Sequence, residues 1–369
     1  MEFKIKRDDI LKSFTILSTI TGKATYLPIL SHILMKMGED GKLILKATDG
    51  EISIVMSIDV ENVISPGSCT VPAKEITDLF RSFDGDSEIH LKLEMENNRM
   101  KIRSGMGEYS LATLLEDAFP EIPEYQGDYI KLPARIIKEM ISKTSASVRP
   151  TFMEFNLFGA KLFLEQEKII MVSTDAYRLS YVEYKGDVNY GMVDVFIPKR
   201  AMMELQNFIG DSDILEFSFD EKHLYFRCNN GFMVSQKAEG GFPQYESIMP
   251  KKCENRCTLD VKKMKSALGR ISIFTNKLSN HIFWKFEKGR VILSSDETEK
   301  GGGVEEVPIK DYSGKEEKEI RLNCSYLKEY FSSLKVEEVV ACVPEGDKEP
   351  LLLVSHEGDI LYKFVLVLL

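Results

Sequence analysis

The chain repeats itself three times, and any fold must accommodate that. Apolar residues at helical spacing occur as Ile10, Leu11, Phe14 and Leu17 in residues 8–19, and as Ile136, Ile137, Met140 and Ile141 in residues 134–145. They occur again as Val261, Met264, Leu268 and Ile271 in residues 260–271. The three segments start 126 residues apart, at positions 8, 134 and 260. A second helical series opens at Pro72-Ala73-Lys74, Pro198-Lys199-Arg200 and Asn323-Cys324-Ser325, on nearly the same interval. Proline is tolerated at a first helical turn because its missing N–H would have no partner there. A short polar turn keeps the same period: Thr48-Asp49-Gly50, then Thr174-Asp175-Ala176, with Ser295-Asp296 as a weaker third copy. A fixed period of this kind is the mark of a repeated structural unit.

Between the helices the sequence alternates apolar with polar. Residues 87–93 and 99–103, 214–219 and 223–228, and 336–343 and 351–355 form three such pairs. Alternation gives a strand one buried and one wet face, hence antiparallel sheet. Each repeat reads as two strand–helix–strands halves, with its two helices covering one face of the sheets. The expected class is α+β, in three domains: 1–126, 127–252 and 253–369.

Of the 369 residues, 43% are hydrophobic and 29% charged, the make-up of a globular protein. The N-terminus carries no apolar signal segment, and the closing FVLVLL is too short to span a bilayer and reads as a last strand. The six cysteines are scattered, and only Cys253 and Cys257 lie close. That spacing has no second Cys or His pair to complete a zinc site, so a reduced, cytoplasmic protein without metal or cofactor is expected. Net charge is −10, which leaves room for local basic stripes. Gly301-Gly302-Gly303 lacks the Lys-Ser/Thr of a phosphate loop, and the histidines stand apart.

Seven motifs, in this order, carry a resemblance: LPIL (27–30), ATDGE (47–51), TVPAK (70–74), TDAYRL (174–179), IPKR (197–200), FPQY (242–245) and NCSYL (323–327). With the repeat they cover the chain end to end. The sequence is similar to the β subunit of bacterial DNA polymerase III, the sliding-clamp family. The resemblance implies a non-catalytic processivity factor. Two three-domain subunits would close as a homodimeric ring around duplex DNA, with six helices per subunit lining the hole.

A sliding contact should touch phosphates, which every sequence shares, rather than base edges. The helix positions to expect in that role are Lys74, Arg81, Arg135, Lys138, Arg149, Lys199, Arg200, Lys262 and Lys265, with Lys328 and Lys335 on the last helix. Lys-rich helix faces taken singly are ordinary solvated surface; recurrence from helix to helix and the resemblance favour DNA. Lys23 matches a basic loop position of the family; its neighbour is Ala24 here.

The resemblance also implies a groove between the second and third repeats for short tails of the polymerase α subunit, the clamp loader, other polymerases and repair proteins. Matching positions are Leu157, Thr174, Ala176, Tyr177, Arg178, Leu179, Pro243, Ser247, Ile248, Asn323, Tyr326, Val365, Leu366 and Val367. On residues alone, Arg178 could hold a peptide or pin two strands. Ala176 stands where the family usually has Gly, which would cost about 1 kcal/mol if the turn needs positive φ. Ser279 replaces a bulky residue, and Leu366 and Leu368 stand where Pro and Arg are common. The implied subunit interface places Tyr109 and Leu111 against Ile273 and Phe274. Two other readings compete: a peptide-binding scaffold that never encircles DNA, and an enzyme using Asp49, Asp175 and Asp296 as acids.

Overall fold

The computed structural model describes residues 1–22, 27–148, 158–186, 191–229, 231–237, 242–276, 278–297, 301–314, 316–346 and 348–369. Lys23, Ala24, Arg149 and Leu157 lie outside the described residues. Six α-helices are present among those described: α1 (Arg7–Ile20), α2 (Ala73–Ser82), α3 (Ala134–Thr144), α4 (Lys199–Ile209), α5 (Val261–Ile271) and α6 (Cys324–Ser333). They stand where the repeat puts them. Pro72 and Pro198 close the strands just ahead of α2 and α4 instead of sitting in the first helical turn. In the third repeat both helices are capped by side chains. Asp260 accepts from the Lys263 N–H at 2.8 Å and Asn323 from the Tyr326 N–H at 3.2 Å. Each cap satisfies a donor the helix cannot and is worth about 1 kcal/mol.

Contacts divide the chain into two compact units that cut across the repeats, 1–135 with 203–237 and 136–202 with 238–369. The first holds a five-stranded and an eight-stranded sheet. In the eight-stranded sheet, Ile52–Asp59 of the first repeat pairs with Gly231–Gln236 of the central one. The second unit holds a twelve-stranded sheet. It runs from Val193–Pro198 through Gly159–Glu165, Lys168–Thr174 and Arg178–Lys185. It continues through Ile360–Leu366, Leu351–Glu357, Glu338–Cys342 and Arg256–Asp260, and ends at Val304–Lys310, Arg290–Ser294, His281–Glu287 and Lys318–Asn323. The join is antiparallel, with Arg178 opposite Leu366, Leu179 opposite Val365 and Tyr184 opposite Ile360. Pairing across a repeat boundary removes edges that would otherwise present open N–H and C=O groups. The three strand pairs read from alternation all form, antiparallel.

One face of the twelve-stranded sheet packs on helices. Tyr362 and Phe364, alternate residues of one strand, meet the Tyr330 ring of α6 at 5.1 and 4.7 Å. Lys143 of α3 is wholly buried there, paired with Glu139 at 2.9 Å and with Glu357, its ammonium 5.4 Å from the Tyr362 ring centre. A buried lysine survives only when so partnered. Burial by itself would raise the Glu139 carboxyl, but hydrogen bonds from Lys335 and Lys143 outweigh it and hold the group below its ordinary value. A carboxyl lowered in the folded state adds stability above its unfolded value, which is lost as pH falls through the folded one. Glu139→Gln should therefore lower stability by about 1–3 kcal/mol at pH 7, and the difference from wild type should shrink progressively as pH falls below about 4.5. Urea titrations from pH 3 to 7 would show this; parallel curves at every pH would contradict it.

Candidate partner groove and nucleic-acid interface

The turn that joins Lys168–Thr174 to Arg178–Lys185 is held by its own side chains. Thr174 Oγ1 donates to the Arg178 carbonyl at 2.7 Å and accepts from the Ala176 N–H at 3.1 Å. Asp175 Oδ1 accepts from the N–H groups of Tyr177 and Arg178 at 3.1 and 3.0 Å. The first repeat builds the same lattice: Thr48 Oγ1 donates to the Ile52 carbonyl and accepts from Gly50 N–H, and Asp49 accepts from Glu51 and Ile52. Asp49 and Asp175 are thus turn-builders, while Asp296 of the weaker copy contacts His281. Nothing in these roles favours the acid-catalyst reading.

At the tight point Gly50 has φ +94° and Ala176 has φ +74°. In that region a Cβ crowds the following carbonyl. The third residue of the turn therefore carries the strain anticipated for alanine there. Ala176→Gly should stabilise the protein by about 0.5–1 kcal/mol, part of the relief being offset by the freer unfolded chain. A thermal midpoint unchanged or lowered in that variant would refute the strain.

Strand alternation sends the residues after the turn to opposite faces. Arg178 faces the helices. Its Nε donates to Asp175 at 3.0 Å, its two terminal nitrogens to Glu329 and to the Ala146 carbonyl, and its guanidinium lies 3.9 Å from the Tyr326 ring centre. Of the two roles open to Arg178, the contacts are those of a strand-and-helix pin, and Glu329 of α6 is a partner the sequence reading did not single out. Burial raises the Tyr326 phenol. Leu366 is buried on this same side, and Asn323 is occupied as the α6 cap.

Leu179 faces the other way. With Val172, Val365, Leu352, Cys342 and Tyr245 it forms one apolar cluster, flanked by Phe242 and Met249. Burial pushes the Tyr245 phenol up, and the Tyr181 phenol as well, reinforced by its hydrogen bond to Glu183. Leu179 and Val365 are 2% and 1% exposed, so they floor the site. Of the other expected apolar positions, Tyr177, Ile248 and Val367 are 53%, 41% and 39% exposed. The Val367 N–H donates to the Tyr177 carbonyl at 3.0 Å, fixing two of the three. Pro243 is half-buried, and Ser247 is exposed on the short turn Tyr245–Ser247. The fourteen expected positions thus divide into turn residues, buried members of the cluster, a helix-side pin and exposed side chains, with Leu157 undescribed.

The basic helix positions divide too. Lys74, Arg81, Arg135, Arg200, Lys262 and Lys265 are exposed, while Lys138 and Lys199 are half-buried. Lys199 Nζ donates to the Val148 carbonyl at 3.0 Å, and burial followed by the nearby Arg178 charge lowers its pKa. Lys265 Nζ donates to the Leu334 carbonyl at 3.0 Å, and Arg81 pairs with Asp78 at 3.2 Å. Lys335 pairs with Glu139 and Lys328 with the Ser272 hydroxyl.

Tyr109 and Leu111 lie on Gly107–Ala112, the edge strand of the five-stranded sheet, with Tyr109 exposed. In the other unit, Ile273 is 75% exposed just past α5. The cysteines require a correction. Cys253 and Cys342 are joined in a disulfide, whereas the scattered spacing led us to expect reduced thiols throughout. The remaining four are free and buried. No spacing in the sequence reveals a partner 89 positions away; only the fold brings the two sulfurs together.

Comparison with known proteins supplies the family. Residues 1–123, 131–244 and 246–366 match, in order, the N-terminal, central and C-terminal domains of the DNA polymerase III beta subunit. The beta sliding clamp of Escherichia coli K12 is 28% identical over 341 residues, 92% of each chain. That of Pseudomonas putida is 24% identical over 365 residues, 98% of each. The crystal structure of the Pseudomonas aeruginosa DNA polymerase III subunit beta superposes with a TM-score of 0.89 at 24% identity over the whole of both chains. A DnaN sliding clamp from Bartonella birtlesii bound to griselimycin gives 0.90 at 25% identity, over 100% of this chain and 99% of that one. The chain belongs to the DNA polymerase III beta subunit family.

Proposed function

We propose that this protein is a DNA polymerase processivity factor without catalytic activity, acting in the cytoplasm. The observation that carries the reading is the three-domain family match across residues 1–366. Domains at 1–126, 127–252 and 253–369 form one arm of a ring, and two copies close head to tail around duplex DNA. Tyr109 and Leu111 of one copy meet Ile273 and Phe274 of the other. The exposed Lys74, Arg81, Arg135, Arg200, Lys262 and Lys265 face phosphates, aided by Lys138, Lys199, Lys23 and Arg149. Six scattered cations on an acidic protein give many weak contacts and no base readout, which suits sliding.

Such a ring should stay on a closed nicked circle and slip off the same DNA once linearised. Binding should weaken steeply with salt, as counterion release requires. Ile273→Ala with Phe274→Ala should give a folded monomer that is lost from the circle. Equal retention on circular and linear DNA, or an intact dimer in the double variant at nanomolar concentration, would overturn the ring.

The wall formed by Tyr177, Ile248 and Val367 above the floor of Leu179 and Val365 is the docking site for partner tails. It takes the polymerase α subunit, the clamp loader, other polymerases and repair proteins in turn. Solved relatives from Pseudomonas aeruginosa and Bartonella birtlesii are bound to griselimycin, which supports a small-ligand site on this family. A wall of three side chains buries little area, so affinity should be near micromolar, about −8 kcal/mol. Because Leu179 and Val365 are buried, substituting them tests folding as much as binding. Ile248→Asp and Val367→Asp are the cleaner probes. Each should weaken a synthetic tail peptide that carries a Gln followed by apolar residues including Leu and Phe, the kind of tail the family resemblance implies, at least about tenfold, by placing a charge on a desolvated contact, while the dimer persists. Calorimetry showing wild-type affinity in both variants would move the partner site elsewhere.

A further inference from the structure

The strap that carries Ile248 is covalently tied to the sheet beneath it. From the turn Tyr245–Ser247 the chain passes Met249 and Pro250 to Cys253, whose sulfur is bonded to Cys342 at the end of Glu338–Cys342. Cys342 belongs to the same apolar cluster as Leu179 and Val365. A 610 Å³ cleft lies along the strap, lined by Ile248, Met249, Cys342, Val343 and Pro350 among others, so the rim residue and the disulfide border one space. The strap has other ties at its ends. Tyr245 packs against Phe163, Tyr181 and Phe242 on one side. On the other, Val343 N–H donates to the Asn255 carbonyl at 2.8 Å and Ser313 Oγ to the Glu254 carbonyl at 2.7 Å. Within it, the Ile248 and Met249 N–H groups donate to the Tyr245 carbonyl at 3.0 and 3.2 Å, and the disulfide holds the stretch beyond them against Cys342.

We propose that Cys253–Cys342 is a redox-controlled staple that sets the affinity of the partner groove. Closed, it holds Ile248 in place, so a peptide meets an ordered rim. Open, the strap gains freedom that binding must then remove. The inference rests on the groove reading above. Exposure sets the chemistry: Cys253 is open to solvent and Cys342 buried. A thiolate of a dithiol reductant attacks the Cys253 sulfur, forming a mixed disulfide and releasing Cys342 as thiolate, which takes a proton. The reductant's second thiolate then displaces Cys253, which is protonated in turn. Two electrons and two protons pass from the dithiol to the protein, and the reductant leaves as its cyclic disulfide. Cys342 remains in the apolar cluster, within reach for re-oxidation.

The test is calorimetry of the same Gln-, Leu- and Phe-containing tail peptide with the full-length protein equilibrated in glutathione disulfide, or reduced with dithiothreitol, beside Cys253→Ser in both buffers. Cys253 is exposed, so that variant keeps the core intact. Reduction should raise the Kd about 3–10-fold, the range expected for one rim side chain that must be re-ordered. Cys253→Ser should show the weaker value in both buffers, and amide exchange over 246–254 should quicken on reduction. The denatured oxidised protein should titrate four thiols of its six cysteines, matching the four free ones. Six titratable thiols after oxidation would overturn the staple, as would equal peptide affinity in the two states. In the latter case the groove itself would stand. No peptide binding in either state would remove the groove and the staple together.

Discussion

The pairing of Arg178–Lys185 with Ile360–Leu366 is the contact on which the second unit depends. It joins a strand of the central repeat to the last strand of the chain, residue against residue from Arg178–Leu366 to Tyr184–Ile360. Without it, two sheets would each end in an open edge, and Leu179 would have no Val365 beside it. Because side chains alternate, the same register also decides what lies on each face. Leu179 and Val365 go to the apolar cluster, while Arg178, Tyr362 and Phe364 go to the helices. A slip of one residue would exchange the two sets.

Arg178 makes that register hard to change. Its guanidinium is buried among Asp175, Glu329, the Ala146 carbonyl and the Tyr326 ring. A planar fork reaches these acceptors from three separate nitrogens while its face stacks on the ring, an arrangement that a lysine's single nitrogen does not offer. The first repeat has the same Thr–Asp turn with Ile52 in this place, so the turn does not need the charge in order to form. The arginine is an addition that binds the turn to α6 and to the segment after α3. On the other face of the sheet lies the apolar cluster of Leu179 and Val365, so the order of the turn comes from the helix side.

The basic residues show a similar division of labour. Lys199 and Lys265 each have a backbone carbonyl as partner, and Lys335 and Arg81 each have a carboxylate. Lys74 and Lys262 are exposed and form no ion pair among the described residues. Helix spacing says which side of a helix a lysine occupies; it does not say whether a carbonyl or carboxylate waits there.

Much of the architecture was legible because it rests on local periods. Apolar spacing located three of the helices within a residue or two, recurring start motifs located the other three, and alternation located three antiparallel pairs. The constant interval between the helices, Thr–Asp turns and proline-led starts exposed the threefold repeat, and seven short motifs pointed to the family. The proposed partner site was read from the sequence as a set of candidate positions, without their arrangement. Whether Leu179 is wall or floor, and whether Arg178 meets a ligand or a glutamate, depends on which strand lies alongside. Any alternating strand can offer its edge to any other, so the sequence leaves that choice open. The disulfide is the extreme case: Cys253 and Cys342 carry no mark of each other, and only the strap folding back onto its strand joins them. The sequence by itself determined the elements, their repetition and the family, because those follow from interactions within a few residues. Cross-repeat pairing, burial and the covalent tie were decided by tertiary structure, because they arise between segments that meet only once the chain has closed.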